Sequence, residues 1–190
     1  MSIFEEDIKG CIGVLQQAGV ILYPTDTIWG LGCDAFNTVA VDKVFAIKHR
    51  PQEKSLIVLT ADARDIFKYV AMPHPDIVDI VNSFDRPTTV IYDGALGFPG
   101  NVVHEDGSIG IRVTTDPFCK ALIKRLGRPI ISTSANISGA PSAQFYAQIS
   151  EDIKKAVDYK VLYRQDDTTP AQPSRIVQIN DDGTLNIIRD

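Results

Sequence analysis

Short apolar runs alternate with segments of helical period along this chain, and that alternation restricts it to the α/β class. Residues 3–18 set Phe4, Ile8, Cys11, Ile12 and Leu15 at helical spacing, with Gly19 as the stop. VILY (20–23) reads as a buried strand. Residues 38–49 read as a helix capped by Thr38 and ended ahead of Pro51. SLIVLT (55–60) is the next strand, helical patches cover 61–71 and 75–84, and TTVIY (88–92) is a strand before the loop GALGFPGN. SIGIRV (108–113) alternates as a strand does. Asp116 and Pro117 open a helix that Gly127 closes. PIIS (129–132) is a strand, 132–143 a loop rich in turn formers, and 145–157 a helix. SRIVQI, NDDG and TLNIIR form a closing hairpin. Strands alternate with helices early and pair late, so the sheet is mixed. One domain over 1–190, with no C-terminal extension domain, is the expectation.

Charge narrows the function classes. The net charge is -5, from 24 acidic against 19 basic residues, which argues against a module held on nucleic acid by charge alone. A local basic site is still compatible with that balance. Cys11, Cys33 and Cys119 form no C-x-x-C pair, so they read as buried small apolar residues in a reducing compartment. The N-terminal stretch MSIFEEDIKG is acidic where a signal peptide is basic, and no run of 18 apolar residues occurs, so no membrane association is expected and cytoplasmic residence is.

Three segments carry polar residues beyond what packing asks for. In YPTDTIWGLG (23–32) an apolar strand runs into Thr25, Asp26 and Thr27 and then Gly30 and Gly32. That pattern fits a turn with hydroxyl caps, and equally a strand-end ligand loop where glycines let backbone approach closely. Trp29 reads as core. In AIKHRPQEKS (46–55), Lys48, Arg50 and Lys54 gather at a helix end. They suit a solvated cap that complements the helix dipole, or a clamp for phosphate oxygens. In PIISTSANISG (129–139), Ser132, Thr133, Ser134 and Asn136 crowd the end of a short strand. They suit a turn before a helix, or a set of small donors for oxyanions. His49, His74 and His104 lack metal-ligand spacing and read as surface residues. The chain has no G-x-x-x-x-G-K-[ST] loop, no G-x-G-x-x-G fingerprint and no G-x-S-x-G elbow, which excludes the common nucleotide-binding and hydrolase motifs.

Taken in order, PTDTIWGLG, Lys48-His49-Arg50, IGIRV and STSAN resemble the YrdC-like family of threonylcarbamoyl-AMP synthases. The family's K-x-R pattern is matched by Lys48-His49-Arg50 and its S-x-N pattern by Ser134-Ala135-Asn136, and the resemblance runs from about residue 12 to the C-terminus. It implies an open, twisted mixed α/β sheet with flanking helices around a deep, locally positive cavity. It also implies a nucleotidyltransferase that makes threonylcarbamoyl-AMP and pyrophosphate from L-threonine, bicarbonate and ATP, for threonylcarbamoyladenosine in tRNA. Magnesium would be held mainly through the ATP phosphates, with no metal site of the protein's own. A downstream threonylcarbamoyl-transfer complex would take the product, and a weak contact with tRNA itself is compatible with this picture.

Residue by residue, the resemblance implies that Lys48 and Arg50 are the catalytic triphosphate contacts, with Lys54 nearby. Ser108, Ser134, Asn136, Ser142 and Arg189 would join them on ATP. Thr27, Arg112, Ser132 and Ser174 would hold threonine. The chain departs from the pattern at FDRPTTVI, where many relatives have a proline-glycine-proline turn, and at Leu59, where some carry histidine. Arg175 stands where threonine is common. Rival readings are an RNA-binding module, a carbamoyl-transfer enzyme, and a paralogue that kept the fold without the synthase activity.

Overall fold

In the computed structural model, which describes residues 3–51 and 56–190, the apolar runs become strands of one sheet. These are β1 (Ile21–Tyr23), β2 (Gly30–Gly32), β3 (Ile57–Thr60), β4 (Thr88–Tyr92), β5 (Ile109–Val113), β6 (Ile130–Ser134), β7 (Tyr159–Lys160), β8 (Arg175–Ile179) and β9 (Leu185–Arg189). Their order across the sheet is β7-β1-β2-β6-β3-β5-β4-β8-β9. The pairs β1/β7, β3/β5 and β4/β8 are parallel and the rest antiparallel, so the sheet is mixed as expected. The helices are α1 (Glu5–Gln16), α2 (Thr38–Lys48), α3 (Ile66–Tyr69), α4 (Ile77–Asn82), α5 (Pro117–Leu126) and α6 (Glu151–Ala156).

The helix ends follow local chemistry. Three acids, Glu5, Glu6 and Asp7, occupy the first turn of α1, where they complement the dipole. Ile8, Cys11 and Leu15 form its buried stripe. In α5, Asp116 accepts from the Cys119 N–H at 2.9 Å, Pro117 takes the first turn, and Gly127 closes the helix at φ 72°. All three cysteines are buried and free, as expected.

The register builds a floor for a site. Arg112 on β5 pairs with Leu59 on β3 and with Thr89 on β4; Thr89 pairs with Ile176 on β8, and Ile176 with Arg189 on β9. Residues on one rung share a face, so Arg112, Thr89, Ile176 and Arg189 look out of the sheet together. A register shift between Ile176 and Val177 kinks β8/β9 beside Arg189. Two residues along, on the same face, lie Ser132, Ile57, Gly110 and Ile91. Gly110 leaves a hollow there: a Cβ on it would sit 3.3 Å from Ile91 Cδ1 and 3.4 Å from Thr89 Cγ2.

Several local expectations are corrected. The strand at 129–132 continues through Ser132-Thr133-Ser134, because this polar stretch lies between β2 and β3 and both supply ladder partners. The predicted 145–157 helix is a 3-10 turn at Tyr146–Gln148 and then α6, which starts only where Ser150 accepts from the Ile153 N–H. The 61–71 patch is a 3-10 turn at Ala63–Asp65 followed by the single turn of α3. Asn37, not Thr38, caps α2, accepting from the Ala40 N–H at 3.1 Å. His74 and His104 are half-buried.

β2 was not expected as a strand at all, and Gly32 explains its composition. A Cβ at Gly32 would meet Tyr23 Cε1 at 2.6 Å and the Ile131 carbonyl at 2.9 Å. Both are fixed parts of the buried core. Gly32→Ala is therefore expected to destabilise the fold by about 1–3 kcal/mol through overpacking. The shift of the urea midpoint at constant m measures it; an unshifted midpoint would show that the Tyr23 ring can move aside.

Candidate active site

The sheet floor opens into a cavity of about 220 Å³. Eight of the expected site residues wall it: Thr27, Arg50, Arg112, Ser132, Ser134, Ser142, Ser174 and Arg189. They come from the loop after β1, the end of α2, β5, β6, the loop beyond it, and the C-terminal hairpin. Three more stand elsewhere. Ser108 is buried just ahead of β5, with its N–H on Asp106, and is not part of the wall. Lys48 and Asn136 lie behind the wall. Lys54 lies outside the described residues.

Lys48 is 1% exposed at the last position of α2. Its Nζ donates to the Ser134 carbonyl, to the Asn136 carbonyl at 2.8 Å and to Asn136 Oδ1 at 3.2 Å. The Ser138 N–H closes the link by donating to the Lys48 carbonyl at 2.8 Å. The Asn136 amide in turn donates to the Ala140 carbonyl, and Ser134 Oγ donates to Asn136 Oδ1. The K-x-R lysine is thus the peg on which the S-x-N loop hangs. Burial first, and the charge of Arg50 second, push the Lys48 ammonium down to about 7.

Arg112 is 3% exposed. Its Nη2 lies 3.2 Å from Asp26 Oδ1 as an ion pair, yet neither Nε nor Nη2 has a hydrogen-bond partner. A buried guanidinium with unused donors on a cavity wall is a site for a carboxylate or phosphate oxygen. Asp26 is tied behind it by the Thr115 N–H at 3.2 Å. Arg189 Nη2 donates to the Ser174 carbonyl at 2.7 Å, and Thr89 Oγ1 lies 2.8 Å from Ser174 Oγ. Burial, then the charge of Arg112, lowers the pKa of Arg189, and burial lowers that of Arg50. Arg50, Arg112 and Arg189 therefore give a positive cavity in a chain of net charge -5.

Four residues that were not among the expected ATP or threonine contacts also enter the site. Asp26 pairs with Arg112, and Thr89 shares its hydrogen bond with Ser174. Thr25 Oγ1 donates to the Ile28 carbonyl at 2.8 Å. Arg164, at φ +67°, donates to the Thr25 carbonyl at 3.3 Å and to Asp116 Oδ2 at 2.9 Å, tying the loop to the start of α5. Only the first and third carried a signal, the polar TDT run itself. Trp29, expected in the core, is 5% exposed and packs on Tyr146 at 4.8 Å between centroids, but one side of it does wall the cavity.

Comparison with known proteins agrees with this architecture. The family Sua5_yciO_yrdC, described as telomere recombination, matches residues 13–190. The chain is similar to the threonylcarbamoyl-AMP synthase of Pseudoalteromonas translucida, with 35% identity over 160 residues, 83% of this chain and 86% of that protein. It is 34% identical over 189 residues to the threonylcarbamoyl-AMP synthase of Xanthomonas euvesicatoria, covering 97% of both. Among solved structures, E. coli YciO superposes with TM-score 0.82 at 23% identity, over 97% of this chain and 89% of that one. P. abyssi Sua5 complexed with L-threonine superposes with TM-score 0.82 at 22% identity, over 94% of this chain. This chain spans about half of that protein, 52%. At such identities the two structures speak for the fold alone. Among the described residues no helix is long and apolar enough to cross a membrane.

Proposed function

The chain belongs to the Sua5/YciO/YrdC family, and we propose that it is a threonylcarbamoyl-AMP synthase, joining L-threonine, bicarbonate and ATP for modification of adenosine in tRNA. The observation that carries this reading is the three-arginine cavity with its unsatisfied Arg112 donors. Such a wall suits a substrate pair that brings one carboxylate and one triphosphate.

Arg112 takes the threonine carboxylate, with Thr27, Ser132 and Ser174 around the rest of the amino acid. Arg50 and Arg189 take the triphosphate, with the hydroxyls of Ser134 and Ser142. Lys48 adds charge from behind and holds the loop that carries Ser134. Asn136 acts through that loop as well. Ser108 is assigned to the nucleotide as well, and so is Lys54, which lies outside the described residues. The threonine amine attacks the bicarbonate carbon and water leaves, giving a carbamate whose oxygen then displaces pyrophosphate from the α-phosphorus. That in-line step requires positioning and charge neutralisation more than a nucleophilic side chain.

Magnesium would enter with ATP and neutralise phosphate charge. Among the described residues no three His, Cys, Asp or Glu gather to hold a metal, and the cavity wall carries no carboxylate. Among the described residues the wall offers an ion neutral hydroxyl oxygens, those of Ser134 and Ser142 on the triphosphate side, so triphosphate oxygens and water would complete its shell. Release of the product to a downstream threonylcarbamoyl-transfer complex, in the cytoplasm, completes the proposal.

The test is direct. With ATP, magnesium, bicarbonate and labelled threonine, pyrophosphate and a threonine-AMP adduct are expected to form together. Omitting threonine or bicarbonate is expected to stop both. Pyrophosphate that forms at the same rate without threonine would remove the reading.

A further inference from the structure

The Thr27 hydroxyl reaches the cavity with its proton already directed elsewhere. Thr25 Oγ1 lies 2.8 Å from the Ile28 carbonyl oxygen, which can only accept, so the one hydroxyl proton of Thr25 goes there. The same Thr25 oxygen receives the Thr27 N–H at 2.9 Å and lies 2.9 Å from Thr27 Oγ1. With its proton committed, Thr25 can only accept in that last pair, so Thr27 is the donor. Thr27 is left with lone pairs alone. Thr25 and Thr27 are 2% and 9% exposed, so water has little access to rearrange them. Thr27 walls the cavity and Thr25 does not.

We infer that Thr25 is a positioning residue that fixes the Thr27 hydroxyl as an obligate acceptor, and that this acceptor takes an N–H of the substrate's amino group. The inference rests on the reading of the cavity as a threonine site. An acceptor cannot serve a carboxylate or phosphate oxygen, which also offers only lone pairs. Those oxygens have the guanidinium donors instead. Thr27 is next in sequence to Asp26, whose carboxylate is paired with Arg112 at 3.2 Å. An α-amino acid carries its amine one carbon from its carboxylate, so a ligand whose carboxylate meets Arg112 brings its nitrogen towards Thr27. A neutral acceptor has a chemical advantage over a carboxylate there. It aligns the nitrogen while favouring its protonated form less than a carboxylate would, and only the unprotonated amine can attack carbon.

The experiment compares wild type, Thr25→Val and Thr25→Ser. The readouts are steady-state pyrophosphate release and inhibition by 3-hydroxybutyrate, the analogue of threonine without its amine. Thr25→Val keeps the volume and removes the acceptor, freeing the Thr27 proton to turn into the cavity. It is expected to raise the threonine KM about tenfold, one hydrogen bond's worth, with the KM for ATP unchanged. The preference for threonine over 3-hydroxybutyrate is expected to fall by the same factor, and Thr25→Ser is expected to restore both. If Thr25→Val does not fold, Thr25→Cys, a weak donor and acceptor, is expected to lower that preference by about threefold. Equal weakening of both ligands means that Thr25 supports only the loop and overturns the inference, as does an unchanged preference. A wild-type protein that releases no threonine-dependent pyrophosphate overturns the functional reading and this inference with it; an active wild type with an unaltered preference in the variants overturns this inference alone.

Discussion

Arg112→Lys is expected to raise the threonine KM by about 10- to 100-fold, the worth of one hydrogen bond to a charged group, while the KM for ATP stays the same. The substitution keeps the charge, so Asp26 does not lose its ion-pair partner at 3.2 Å. What it removes is the planar fork. Nε and Nη2 of Arg112 are buried without hydrogen-bond partners, and those donors would meet the two carboxylate oxygens. A lysine offers one compact ammonium on a wall 4% exposed, where the side chain has little freedom to search for a new pose. Arg112→Met makes the instructive contrast. It leaves Asp26 as an uncompensated buried carboxylate, and the fold is then expected to weaken by about 3–5 kcal/mol. Threonine kinetics and thermal melting of both variants separate the roles. An Arg112→Lys enzyme with unchanged threonine dependence would make Arg112 a structural partner of Asp26 and nothing more.

The fold was legible where burial dictates composition. VILY, LIVLT and IGIRV are largely apolar because nearly all of their residues are buried, and such runs announce themselves. β2 did not, because Gly30 and Gly32 carry no strand preference. Their place is set by the Tyr23 ring on the neighbouring strand and by the β6 backbone, which lies about a hundred residues on. The run of β6 through Ser132-Thr133-Ser134 was hidden because its partners, residues 30–31 and 57, lie far away in sequence. The site divides along a similar line. Charged and hydroxyl residues at strand ends could be named one by one. That Arg112 and Arg189 share a face depends on a rung running through β5, β4, β8 and β9, which no local pattern encodes. Nor does any local pattern say that the lysine of K-x-R turns away from the cavity while its arginine joins the wall.

That turn of Lys48 makes it the second position where a large effect is expected. Lys48→Met removes three donated bonds at once, to the carbonyls of Ser134 and Asn136 and to Asn136 Oδ1. Each bond from a charged donor is worth about 1.5–3 kcal/mol, so loss of order in the loop is expected to lower kcat/KM for ATP by about a hundredfold or more. Because Ser134 itself walls the cavity, the damage reaches the nucleotide without Lys48 touching it. Stability should respond to pH in a particular sense. The folded chain holds Lys48 near 7, against an ordinary 10.5, through burial and then Arg50. Above pH 7 the folded chain gives up a proton that the unfolded chain keeps, so the penalty of burying this ammonium, full below 7, is relieved as pH rises from 7 towards 10.5 and stability grows over that window. Wild type is therefore expected to gain on Lys48→Met between about pH 6 and about pH 9 in thermal melts. The three acceptors work against this, since a neutral amine has only two protons for them. A difference between the two proteins that stays level across that range would mean the acceptors hold the third proton in place. The ammonium would then be a permanent charge behind the S-x-N loop, and the activity loss in Lys48→Met would combine a missing peg with a missing charge.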